Sequence, residues 1–126
     1  MYKALIVDDD AAVLSTLRLL FQSRHFEVMT ATCARDAIAL VDKEQFDLVV
    51  TDMRMETNTA GFEVVRGAKN VPCPPIVVIL SAFPVPASEW RVAGADAIFM
   101  KGGGSFAMIK EVEKMLNSQV RARSAS

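Results

Sequence analysis

Short apolar segments alternate along the chain with stretches that repeat apolar positions at helical spacing. Ala4-Leu5-Ile6-Val7 is apolar throughout and stops at Asp8-Asp9-Asp10, the pattern of a strand buried on both faces whose end meets solvent. Val13, Leu14, Leu17, Leu20 and Phe21 then recur with helical period, with Asp10 placed to cap the helix that begins at Ala11. The alternation continues with strands at Glu27 to Thr30 and Phe46 to Thr51, and helices at Ala34 to Lys43 and Gly61 to Lys69. Pro74-Pro75 breaks the chain before the run Ile76 to Leu80, which a short helix near Ala87 to Val92 and a strand at Ala97 to Met100 follow. Ser105 is the expected N-cap of a closing helix carrying Met108, Ile109, Val112, Met115, Leu116 and Val120. Strands alternating with helices require right-handed crossovers between parallel strands. The expected fold is therefore α/β, a flavodoxin-like doubly wound (βα)5 sheet in the order 2-1-3-4-5. It occupies residues 1–120 as one domain, and residues 121–126 form a flexible tail.

Composition narrows the function classes. Fifty-two per cent hydrophobic and 23% charged residues describe a chain that can bury a core, and a net charge of -1 offers no field for steering nucleic acid. No apolar run approaches the roughly 20 residues of a membrane helix. Cys33 and Cys73 lack CxxC or zinc-ligand spacing, and no basic, apolar leader precedes Ala4, so reduced thiols and a cytoplasmic location are expected.

Ligands of open α/β sheets bind beyond the carboxyl ends of the strands. Here strand 1 ends in Asp8 and Asp9, strand 3 in Asp52, strand 4 in Ser81 and strand 5 in Lys101. Each is bland alone: a helix cap and solvated charge, a turn hydroxyl, a surface lysine beside a Gly-Gly-Gly loop that lacks P-loop order. Together, three crowded carboxylates call for a hard cation such as magnesium, and Lys101 with the Ser81 hydroxyl could hold phosphate oxygens. A carboxylate in that setting can attack phosphorus, and Asp52 is the best placed nucleophile.

The segments Leu5 to Asp10, Leu48 to Met55, Val78 to Ala82 and Gly94 to Lys101 resemble bacterial response-regulator receiver domains, with a likeness running from about Lys3 to Leu116. The resemblance implies a two-component signalling switch with Asp52 as phosphoacceptor, Ser81 as switch hydroxyl and Lys101 as phosphate-binding lysine. It implies a magnesium or manganese site at Asp8, Asp9 and Asp52, completed by the backbone carbonyl of Arg54. The implied donor is a sensor histidine kinase or phosphotransfer protein, and the output is a changed affinity for a downstream protein. A phosphorylation-dependent dimer through the Ile109/Val112/Leu116 helix is left open. Catalysis would extend only to the protein's own phosphorylation and dephosphorylation.

The sequence departs from that family pattern at several places. Glu56-Thr57-Asn58-Thr59-Ala60 replaces the usual proline after Met55 and delays the glycine by one residue, to Gly61. Gly102 stands where proline usually follows the lysine, and Ile98 holds the usual aromatic switch position, with Phe99 beside it. Pro84 and Pro86 shorten the fourth helix. Two rivals follow. One is a pseudo-receiver that binds partners without phosphorylation. The other is a haloacid-dehalogenase-type phosphatase, against which Asp8-Asp9-Asp10-Ala11-Ala12 misses the needed fifth position and no Asp follows Lys101.

Overall fold

A computed structural model describes residues 1–102 and 104–125. Five strands, β1 (Lys3–Val7), β2 (Glu27–Ala31), β3 (Leu48–Asp52), β4 (Ile76–Ser81) and β5 (Ala97–Met100), form one parallel sheet in the order β2-β1-β3-β4-β5. The helices between and after them are α1 (Ala11–Ser23), α2 (Ala34–Lys43), α3 (Ala60–Lys69), α4 (Ala87–Ala93) and α5 (Ser105–Ala125). This is the doubly wound arrangement the alternation predicts.

The sheet divides two cores. Leu5, Val7, Val49, Val77 and Ile79 point toward α2 and α3, whereas Ala4, Ile6, Leu48, Val50 and Val78 point toward α1 and α5. Strand periodicity explains the split, since successive side chains leave opposite faces and both faces of β3 and β4 are covered. α4 buries no residue fully, in keeping with its seven-residue length between Pro86 and the left-handed cap at Gly94 (φ 106°).

Two expectations are revised. Ser105 is the first helical residue of α5 rather than its cap, and the Met108 amide donates to the Gly104 carbonyl at 3.4 Å. α5 is helical to Ala125, so most of the segment expected as a tail continues that helix, and Ser126 lies outside the described residues. Ile109, Val112 and Leu116 are all buried against the sheet and α1, which takes them away from any second copy. Among the described residues no helix is long and apolar enough to cross a membrane, and Cys33 and Cys73 are both free thiols.

Candidate functional site

Strand register brings the site together. Val7 pairs with Thr51, so the residues that follow, Asp8 and Asp52, emerge side by side. Asp52 pairs with Leu80 and Ser81 with Met100, which sets Ser81 and Lys101 one step further along the same rim. The Lys101 amide donates to the Ser81 carbonyl at 2.7 Å and locks that last step. The side chains of Asp8, Asp52 and Lys101, far apart in sequence, thus meet because parallel strands end in step, with Ser81 beside them on the same rim.

Carboxylate oxygens of Asp8, Asp9 and Asp52 lie within 4.8 Å of one another. Asp8 is buried, its Oδ1 accepting the Asp10 amide at 2.9 Å and its Oδ2 the Lys101 ammonium at 3.0 Å. Lys101 Nζ also sits 3.2 Å from Asp52 Oδ1. Asp10 caps α1 as its position predicts, accepting from the Ala12 and Val13 amides at 2.9 and 3.3 Å. Asp10 is therefore committed to the helix, while Asp9 stays exposed at the mouth.

Burial pushes the Asp52 carboxyl above the usual carboxylate range, and the negative charge of Asp8 adds to it; the charge and hydrogen bond of Lys101 and the Met53 amide oppose the shift without cancelling it. Burial disfavours the Lys101 ammonium, but its hydrogen bond to Asp8 and the charges of Asp52 and Asp8 outweigh that, so its pKa rises. One lysine does not satisfy three acids, and an all-oxygen set of this kind suits a hard divalent cation.

Ser81 is buried, and its hydroxyl is engaged twice with one residue: it donates to the Phe83 carbonyl at 2.7 Å and accepts the Phe83 amide at 3.1 Å. This is the turn role of a serine at a strand end, occupied at the same time as the rim position. The Phe83 ring carries the Arg54 guanidinium 4.2 Å from its centroid, so the chain after Asp52 meets the chain after Ser81 across the mouth. Phe83 was not legible as part of the site. Two prolines near it mark only a loop, and a side chain's cation partner leaves no periodic signal.

The remodelled loop retains its closest contact. A Cβ on Gly61 would lie 2.7 Å from the Asp52 carbonyl oxygen and 2.8 Å from Met53 Cα, and the Gly61 amide donates to the Met53 carbonyl at 2.9 Å. Gly61 is thus required where the backbone of α3 touches that of β3, and the extra residue is taken up in residues 54–59. Gly102 has φ 83°, a conformation closed to proline, so the strand 5 exit follows its own path here. Ile98 and Phe99 pack on opposite faces of the sheet, against the α3 side and the α1/α5 side respectively. Phe99 therefore does not stand in for an aromatic residue at position 98. It lines an apolar groove of about 710 Å³ between α1 and α5, with Val13, Leu17, Leu80 and Met108, that reaches Lys101.

The family described as the response regulator receiver domain matches residues 4–113. The chain belongs to this family. Curated relatives include the nisin biosynthesis regulatory protein NisR of Lactococcus lactis subsp. lactis, 30% identical over 63% of this chain and 34% of that protein. The chain spans between 23% and 34% of the length of the first such relatives. Among solved structures, a CheY-like receiver domain protein from Methanospirillum hungatei JF-1 superposes with a TM-score of 0.88 at 24% identity, covering 97% of this chain and 98% of that one. TrrA of Thermotoga maritima, solved in complex with Mg(2+)-BeF, is 26% identical with a TM-score of 0.80, covering 92% and 99%. The receiver fold of the sequence reading is thereby established, and its strand-end residues share one rim.

Proposed function

We propose that this receiver domain is a phosphoryl-accepting switch modified on Asp52 by a sensor histidine kinase or phosphotransfer protein. The observation that carries the reading is the shared lysine: Lys101 Nζ lies 3.0 Å from Asp8 and 3.2 Å from Asp52, within a cluster of three carboxylates. A carboxylate oxygen of Asp52 forms the new bond to phosphorus while the donor's bond to phosphorus breaks and the donor leaves with that electron pair. Asp8, Asp9 and Asp52, with the Arg54 carbonyl, would hold a magnesium or manganese ion, which when bound supplies positive charge to the phosphoryl oxygens. TrrA, similar in fold and solved with magnesium and a beryllium fluoride, supports that assignment.

Lys101 is near enough to leave Asp8 for a phosphoryl oxygen on Asp52, and Ser81 can join it only by giving up its contacts with Phe83. Loss of those contacts frees the chain at residues 82–86 and changes the surface offered to a downstream protein. Attack of water on phosphorus releases inorganic phosphate, returns the Asp52 carboxylate and resets the state. A cytoplasmic setting accords with the free thiols.

Intact mass after incubation with acetyl phosphate and magnesium tests this reading. A gain of one phosphoryl group in the wild type, lost in Asp52→Asn and in EDTA, is expected. No gain under any condition would overturn phosphorylation and favour a partner-binding pseudo-receiver.

A further inference from the structure

Glu56 stands where the family usually carries proline, and its side chain crosses from the β3–α3 loop to the start of α2. Its Oε1 and Oε2 accept from the Ala34 amide at 3.1 and 3.2 Å. The residue at the cap position of α2, Cys33, is extended (φ -151°, ψ 164°) and makes no capping hydrogen bond through its side chain. A carboxylate from another segment therefore does the work of the missing cap, where the helix dipole and the free first-turn amides favour negative charge.

That contact also fixes the loop. Between Met53, which is buried, and Gly61, which is pinned against Asp52, the chain carries one residue more than the family pattern. Inside this span the loop closes on itself, with the Met55 amide on the Thr57 carbonyl at 3.1 Å and the Thr59 amide on the Thr57 hydroxyl at 3.3 Å. Met55 packs against the core shared by α2 and α3, but residues 56–59 are exposed. Glu56 thus ties the widest part of the loop to a rigid element, two residues after Arg54.

We infer that Glu56 is a positioning residue: by anchoring the enlarged loop to the N-terminus of α2, it holds the Arg54 carbonyl in place for the cation proposed at Asp8, Asp9 and Asp52. The inference rests on that proposed cation site. An acidic side chain and a helix end here replace the stiffness that proline supplies to the loop elsewhere in the family. The effect on the cation is indirect, since Glu56 holds the backbone that would carry a ligand.

The test must separate a loop anchor from a helix cap, because Glu56 is both. Manganese binding is measured by electron paramagnetic resonance on the full chain for wild type, Glu56→Ala and Glu56→Ala/Cys33→Ser, with thermal unfolding in EDTA alongside. Serine at position 33 can cap α2 by itself, since the backbone there already has cap geometry. Glu56→Ala is expected to weaken manganese binding about 10-fold and to lower the midpoint of unfolding. The double variant is expected to recover the midpoint but not the affinity. Recovery of both would make Glu56 only a cap for α2, and unchanged affinity in Glu56→Ala would likewise overturn the anchor. A wild type that binds no manganese would overturn the cation site itself, and the anchor with it.

Discussion

Lys101→Met tests whether the lysine is the built-in counterion of the acid cluster. The substitution keeps most of the apolar stem and removes an ammonium 3.0 Å from Asp8 and 3.2 Å from Asp52. Removing one partner of a buried ion pair costs about 3–5 kcal/mol, chiefly because the other charge stays behind unpaired. Asp8 is only 1% exposed and cannot turn to water, but the lysine side chain is 25% exposed, so the cost falls to about 2–3 kcal/mol. For a domain of this size that is a fall in the unfolding midpoint on the order of 10 °C in EDTA at neutral pH. Saturating magnesium should close most of the gap, because a cation in the same cluster replaces the missing charge. An alkaline limb provides a second check. The Lys101 pKa is raised above 10.5, so its stabilisation is complete below that value and is lost as pH climbs through the higher folded-state value. The wild type should show this loss, and Lys101→Met should keep only the part due to Lys3, whose hydrogen bond to Glu44 also raises its pKa. Urea denaturation in EDTA and in magnesium, repeated across pH, measures all three. A variant as stable as the wild type in EDTA would refute the counterion argument.

Asp52→Asn should stabilise the cation-free protein at pH 7 by about 1 kcal/mol, since burial and Asp8 make the ionised Asp52 unfavourable in the fold. The sign follows from a raised carboxyl pKa: its favourable contribution is present below 3.8 and lost as pH rises through the folded-state value, so the advantage of the variant should vanish in urea melts at pH 3.5. Gly61→Ala would push a Cβ to within 2.7 Å of the Asp52 carbonyl oxygen and 2.8 Å of Met53 Cα. Both contacts are backbone, so β3 must move, at about 1–3 kcal/mol, and acetyl-phosphate labelling should slow more than in Val92→Ala, whose residue is exposed on α4.

The elements were legible because their hydrophobic patterns are unambiguous: β3 and β4 are buried at every position, and no polar residue interrupts Ile76 to Leu80. Parallel strands followed from crossover rules, sheet order from the fit of five units to the flavodoxin-like arrangement, and the rim from both. What stayed hidden depends on side chains reaching across segments that have no fixed spacing. Glu56 lies 22 residues from the amide it caps, and the Arg54 ring contact joins two loops. Cys33 offered one clue in retrospect, since a helix start without Ser, Thr, Asp or Asn needs its cap from elsewhere. Ile109, Val112 and Leu116 left a question open instead. An apolar stripe on a terminal helix looks the same whether it faces its own sheet or a second copy, and only packing distinguishes them.

Charge counting ties the site to a switch. Three carboxylates against one ammonium leave two negative charges uncompensated when all are ionised. A divalent cation would balance them and leave Lys101 where it is. A phosphoryl group on Asp52 adds about -1.5 to -2 in place of the carboxylate charge, and the ammonium then has a stronger partner than Asp8 within reach. On the proposed reading, the Lys101–Asp8 contact and the phosphorylated state compete for one ammonium, just as Phe83 and the phosphoryl group compete for the Ser81 hydroxyl. Two exchanges on adjacent strands, joined by the 2.7 Å hydrogen bond from the Lys101 amide to the Ser81 carbonyl, should therefore occur together. The modification would be read as a joint displacement of the ends of β4 and β5 rather than as the movement of one side chain.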